Sequence, residues 1–175
     1  MILDVGCGLS PVGDINMDRE VYSDETGRQV WRGIFSREKR EKFRTCLNVR
    51  GVGDAIPFKD DTFPVVWSSD SIEHTETPAK FLEELIRVSN GLVVVVTPHY
   101  WAKDSDIPIH RSRFKRRDFD RMLRSSEYSI SWRYHTTLGY LCQWFKFPLF
   151  RPRRIILHIF KNPVIVPTNT FMGFT

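Results

Sequence analysis

Two glycines and a carboxylate open the chain in a pattern suited to holding a ligand. Gly6 and Gly8 stand directly after the apolar run Ile2–Val5, and Asp18 follows ten residues after Gly8. Glycine lets the backbone approach a ligand closely and adopt dihedrals closed to other residues. A carboxylate at the end of the next extended segment can accept both hydroxyl hydrogens of a ribose diol. The dinucleotide fingerprint asks for another glycine three residues beyond the second. That position is Pro11, which disfavours a nicotinamide cofactor. Two histidines, His99 and His110, are candidate catalytic bases. The stretch "HYWAKDSDIPIH" also gathers His99, Asp104, Asp106 and His110. Its spacing fits no strong zinc pattern, and no metal is expected.

These residues must be positioned by something, and the pattern of the chain suggests what. The run Ile2–Val5 reads as a buried parallel strand. Residues 15–17 read as a second strand ending at Asp18, 46–49 as a third, and 65–68 as a fourth despite Pro64. "SREKREKFR" reads as a helix capped by Ser36. Thr77 can cap a further helix with Pro78 at its first position. Phe81, Leu82, Leu85 and Ile86 make one stripe along it, and Asn90-Gly91 is expected to stop it. "LVVVV" at 92–96 is the clearest central strand, a basic helix is expected at about 115–125, and "YSISWRY" alternates with period two. Alternating strands and helices argue for an α/β fold, a mostly parallel sheet with helices on both faces. Ligands on such sheets sit beyond the carboxyl ends of the strands. The glycine loop, Asp18, Asp54 and Ser69 all fall there.

The path from Gly8 to Asp18 is short. Residues 6–12 reach about 23 Å when extended, and a four-residue strand is only about 13 Å long. A bare loop can therefore return the chain for a parallel second strand, whereas a helix does not fit.

Composition bounds the rest. With 175 residues, 41% apolar and 27% charged, the chain reads as one soluble globular domain. A core is expected over about 1–135 and a C-terminal lid or strand segment over 136–175. Cys7, Cys46 and Cys142 form no CxxC pair, which suggests reduced thiols. No run approaches the length of a membrane span, and there is no room for a signal peptide before the first strand. A cytoplasmic location is expected. Residues 1–100 hold 12 Lys and Arg against 16 Asp and Glu, a net of −4, while 101–175 hold 14 against 5, a net of +9. A basic half suits an acidic substrate or surface as well as a merely solvated face.

Taken in order, several segments resemble the class I S-adenosylmethionine (SAM)-dependent methyltransferases, especially the type-11 branch. "LDVGCG" (3–8) is similar to that family's cofactor loop. "GDAIPFKDDTFPVVWSSDSIEHTETPAKFLEELIRV" (53–88) resembles its GDA, LPF and FD-x-V stretch, followed by an EH pair and a helix ending in RV. "NGLVVVVTP" resembles its fifth strand and "HRSRF" a further H-x-R-x-F piece. The resemblance covers about residues 2–124. It implies a Rossmann-like sheet and SAM as cofactor. Asp4 would organise the loop, and Gly6, Cys7 and Gly8 would let backbone approach the methionine part. Asp18 would hold the ribose, Asp54 with the Ala55 backbone the adenine, and Ser69 or Asp70 would lie under the methionyl group. Glu73 and His74 match the EH pair and read as the structural start of a helix. The sequence departs from the family in having Ser10 at the third glycine, no helix before the first strand, and the shortened first crossover.

A SAM-dependent methyltransferase acting on a small, possibly anionic, acceptor is the reading these residues favour. An RNA methyltransferase and a non-catalytic SAM-fold binding subunit are the alternatives. A hydroxyl or ammonium acceptor would need a base, hence His99 and His110. The aromatic and basic stretch 144–161 reads as a lid over the site, a membrane-surface element or a nucleic-acid stacking surface. A second subunit in a homodimer is another source of cover.

Overall fold

The computed structural model of the protein describes residues 1–8, 11–19, 47–102, 110–123, 128–136, 139–141 and 152–161. The helix expected around Ser36 lies outside these residues. Eight strands form one sheet: β1 (Ile2–Val5), β2 (Ile15–Asp18), β3 (Leu47–Arg50), β4 (Phe63–Ser69), β5 (Ser89–Pro98), β6 (Tyr128–Thr136), β7 (Gly139–Leu141) and β8 (Pro152–Lys161). Their order is β3-β2-β1-β4-β5-β8-β6-β7. The first five are parallel neighbours, and β8 runs antiparallel between β5 and β6. A 3₁₀ turn (Ile72–His74) leads from β4 to α1 (Pro78–Val88), and α2 (Arg116–Met122) precedes β6.

Burial follows the strand pattern. Leu3, Asp4 and Val5 are buried in succession, as are Val93, Val94 and Val95, so the middle of the sheet is covered on both faces. In α1 the expected stripe Phe81, Leu82, Leu85 and Ile86 is buried against the sheet. Phe119 of α2 packs between Phe114 and Trp132, at ring-centroid distances of 5.0 and 5.7 Å. On β6, Ser129, Ser131 and Arg133 face solvent while Trp132 is buried, which is the period-two alternation read from the sequence.

The first crossover is a loop among the described residues, and its tightness has a specific cause. The Asp14 amide donates to the Ile2 carbonyl at 2.9 Å, and the Asn16 side chain exchanges two hydrogen bonds of 3.1 Å with the Gly13 backbone. Gly13 lies so flat on β1 that a Cβ there would sit 2.8 Å from the Ile2 carbonyl oxygen. The Val12 amide donates to the buried Asp4 carboxylate at 2.9 Å. With these contacts the chain turns back at once, and β2 pairs with β1 in parallel from Leu3 opposite Ile15.

Two expectations need correction, and a third is narrowed. Asn90-Gly91 does not stop the helix: α1 ends at Val88 and both residues belong to β5, where Gly91 lies against the Pro64 carbonyl. A Cβ at Gly91 would stand 2.6 Å from that oxygen, so the glycine answers a close strand approach. Pro64 lies inside β4, which starts at Phe63, and the register shifts there, accommodating the missing amide. Last, of the lid and strand readings of the C-terminal segment, residues 152–161 take the strand one. They form a strand with Ile155, Leu157 and Ile159 fully buried. The aromatic part of the supposed lid, 142–151, lies outside the described residues. No helix among the described residues is long and apolar enough to cross a membrane.

Candidate active site

The carboxyl ends of β1 to β4 open on one cleft of about 550 Å³. Its wall is made by Gly6 and Gly8 after β1, Asp18 and Arg19 at the end of β2, and Gly51 to Asp54 after β3. Asp70, Ser71 and His74 to Glu76 follow β4, with Phe81 of α1 and Arg111 closing the far side. The volume is that of a small-molecule or cofactor site.

The loop after β1 is zipped onto the end of β2. The amides of Gly6 and Cys7 both donate to the Met17 carbonyl, at 2.8 and 3.2 Å, and the Gly8 amide donates to the Asp18 carboxylate at 2.8 Å. Gly6 has φ of 74° and Gly8 of 50°, a region that favours glycine. At Gly6 a Cβ would collide with the Ser71 hydroxyl, 2.1 Å away, whereas beside Gly8 there is open space. Gly6 thus lets the β4 turn close over the loop, and Gly8 presents bare backbone to the cleft.

Asp54 sits in the turn after β3, where its carboxylate accepts from the Thr77 hydroxyl at 3.1 Å. That turn is pinned to α1. The Ile56 amide donates to Glu84 at 2.8 Å, and Arg87 donates to the carbonyls of Ile56 and Phe58 at 2.9 and 2.8 Å. Arg87 also pairs with Glu84 and Asp60, each at 2.7 Å. The Arg87 hydrogen bond holds the Glu84 carboxyl below its usual range, and the two carboxylates push the guanidinium's pKa up.

Asp70 adopts φ of 52°, rare outside glycine and a mark of a constrained turn, with its amide bonded to the Val96 carbonyl at 2.9 Å. Its carboxylate pairs with Arg154 of β8. Burial pushes the Arg154 pKa down from its ordinary value.

Of the residues read from sequence, Gly6, Gly8, Asp18, Asp54 and Asp70 share the cleft. The others do not line it. Asp4 is buried beneath the loop, where its carboxylate accepts from the Val12 amide, and Cys7 is half-buried with Sγ 3.7 Å from the Gly8 carbonyl. The Ala55 amide is engaged by the Val52 carbonyl at 3.1 Å, and the Ser69 hydroxyl donates to Asp70 at 3.1 Å. His99 is buried, and its Nδ1 accepts from the Trp101 amide at 3.2 Å. Burial, aided by the Lys115 charge, lowers its pKa to about 4. His110 stacks edge-to-face on His74, with ring centroids 4.7 Å apart. Sequence reasoning missed Ser71, His74 and Arg111 as cleft residues. The rule of the strand carboxyl ends could have found the first two, and nothing in the sequence points to Arg111.

A family model described as a methyltransferase domain, type 11, matches residues 3–95. The chain belongs to the type-11 methyltransferase family. Among curated proteins it is similar to the chloroplastic tocopherol O-methyltransferase of Arabidopsis thaliana, 46% identical over 50 residues, 26% of this chain and 14% of that one. A probable tocopherol O-methyltransferase of rice is 29% identical over 108 residues, 55% of this chain and 28% of that one. The chain therefore spans less than a third of the length of these relatives. Among solved structures, a SAM-dependent methyltransferase from Archaeoglobus fulgidus superposes with a TM-score of 0.61 at 15% identity, covering 91% of this chain and 85% of that one. Magnesium protoporphyrin IX methyltransferase from Synechocystis, solved with bound SAM, gives 0.54 at 13%, covering 91% and 69%. At these identities the likeness is one of fold: the Rossmann-like class I methyltransferase sheet. SAM is the cofactor of this methyltransferase fold family, and the cleft suits it. Open backbone at Gly8 and an excess of carboxylates fit a ligand with a ribose, a sulfonium and an ammonium group.

Proposed function

We propose that the protein is a SAM-dependent methyltransferase acting on a small-molecule acceptor. The observation that carries this reading is the convergence of Gly8, Asp18, Asp54 and Asp70 on one cleft at the strand carboxyl ends. In this reading Asp18 accepts from the ribose hydroxyls while holding Gly8, and Asp54 accepts from the adenine amino group. Asp70 faces the methionyl part. Asp4 acts one layer behind, through the Val12 amide. Bound SAM supplies an electrophilic methyl on a sulfonium, and the protein's main contribution is to align an acceptor in line with it. The acceptor enters past His74, Thr75, Glu76 and Arg111, the part of the wall not assigned to the cofactor. Neither His99 nor His110 lines the cleft, but His110 stacks on His74, which does, whereas the Nδ1 of buried His99 is taken by the Trp101 amide. His110 is therefore the better candidate to serve an acceptor. The pairing of Arg154 with Asp70 removes one reason to expect an anionic acceptor.

Methyl-labelled SAM supplied with a panel of phenolic, amine and carboxylate small molecules, and separately with bulk RNA, tests the reading. Label is expected on a small molecule. Label on RNA alone would replace the acceptor class, and tight SAM binding without transfer to anything would favour a non-catalytic binding subunit.

A further inference from the structure

The turn that closes the cleft gathers a second set of groups. Glu73 and His74 are consecutive in the 3₁₀ turn after β4, and His110 arrives from a segment 36 residues further along. One potential ligand atom from each of the three lies within 4.8 Å of the other two. We propose that Glu73, His74 and His110 bind a divalent transition-metal ion beside the cleft.

Backbone contacts preassemble the site. The amides of Arg111 and Ser112 both donate to the Glu73 carbonyl, at 2.8 and 3.1 Å, which fixes the strand of chain carrying His110 against the turn. The two imidazoles meet at an interplanar angle of 69°. Glu73 is 1% exposed, and the Thr97 hydroxyl of β5 donates to its Oε2 at 3.0 Å. A hydrogen bond to one carboxylate oxygen is the device that orients metal-binding carboxylates.

The donor set chooses the metal. Two imidazole nitrogens and one carboxylate oxygen suit Zn²⁺, Co²⁺, Ni²⁺ or Fe²⁺ and not Mg²⁺ or Ca²⁺, which prefer oxygen ligands. Bonds of about 2.1 Å to tetrahedral zinc put neighbouring ligand atoms roughly 3.4 Å apart. Small side-chain rotations close the remaining gap. Three protein ligands leave a position open, as in catalytic zinc sites. Because His74 lines the cleft, an acceptor hydroxyl can reach that position, where the ion lowers its pKa. This last role rests on the methyl-transfer reading; metal binding does not.

Isothermal titration of the tag-free chain with Zn²⁺, and the visible spectrum of the chain with Co²⁺, test the proposal without SAM. One equivalent of Zn²⁺ is expected to bind, and Co²⁺ is expected to give the intense visible bands of low-coordinate cobalt. His110→Ala and Glu73→Gln should each weaken Zn²⁺ binding at least tenfold. Glu73→Gln keeps an acceptor for Thr97, and far-UV circular dichroism verifies that each variant folds. If Glu73→Gln fails to fold, His110→Asn and His74→Asn carry the same expectation. A cobalt spectrum identical to that of the aqueous ion, or Zn²⁺ affinity unchanged in the folded variants, would overturn the site and leave an imidazole–carboxylate cluster. SAM affinity measured on the same variants should stay within about threefold of wild type, so a failed metal site is distinguishable from a failed cofactor site.

Discussion

Asp18 carries two tasks that a pair of substitutions separates. Its carboxylate accepts from the Gly8 amide and also lines the cleft. Asp18→Ala removes both contacts and is expected to weaken SAM binding by about 1–3 kcal/mol, since the ribose hydroxyls and the Gly8 amide lose a charged acceptor. Asp18→Asn keeps an oxygen for Gly8 and should lose about 1 kcal/mol. Titration calorimetry on the two variants reads the difference, and equal affinities in wild type and Asp18→Ala would remove Asp18 from the site. At this scale the sequence was informative where a residue's place in the cleft follows from standing at a strand end, as for Gly6, Gly8, Asp18 and Asp54. It was silent where the role comes from a turn folding back, as for Ser71 against Gly6 or Arg111 against the cleft wall.

At the scale of elements, the end of α1 acts on the site from a distance. Arg87 bonds two carbonyls and two carboxylates, and so fastens the turn that carries Asp54 to the helix. Arg87→Ala leaves the Ile56 and Phe58 carbonyls without that donor and is expected to lower stability by about 2 kcal/mol. It should also weaken SAM binding, because Asp54 is no longer held. Denaturant melts and calorimetry on the variant check both effects; a loss of stability with intact SAM affinity would uncouple the helix from the site. The helix itself was legible from its apolar stripe and Pro78. Its boundary was not, because Asn90-Gly91 carries a stop signal that strand pairing with β4 overrides. The short crossover was legible from chain reach alone, though not the Asn16 clasp on Gly13 that makes it work.

The whole molecule depends on its last described strand. β8 lies between β5 and β6, with Leu92 opposite Phe160 at one end and Pro98 opposite Arg154 at the other. A chain ending at Thr137 lacks Ile155, Leu157 and Ile159 from the core and is expected to give no cooperative thermal transition; a sharp transition would show that the sheet tolerates the gap. Local pattern could not reveal this insertion, because the apolar run Ile155–Leu157 flanked by basic residues fits a surface element as well as an antiparallel strand. Acid should also act on the whole fold. Burial lowers the pKa of His99 to about 4, with Lys115 adding to it, and lowers that of His158, with Arg133 adding to it. The unfolded chain then takes up these protons first, so stability holds above about pH 6.5 and falls as the pH drops toward 4. For His99 the span is worth at most about 3 kcal/mol. His99→Gln should flatten the acid limb of a stability–pH profile, and an unaltered limb would show that His99 takes up no proton there.

The central claim is that the cleft at the carboxyl ends of β1 to β4 holds SAM. Calorimetric titration of the wild-type chain with S-adenosylmethionine, repeated on Asp54→Ala, addresses it most directly. One molecule should bind per chain, and Asp54→Ala should bind several-fold more weakly, by about 1 kcal/mol or more. No heat of binding with the wild-type chain, or equal affinity in the two proteins, would contradict the account.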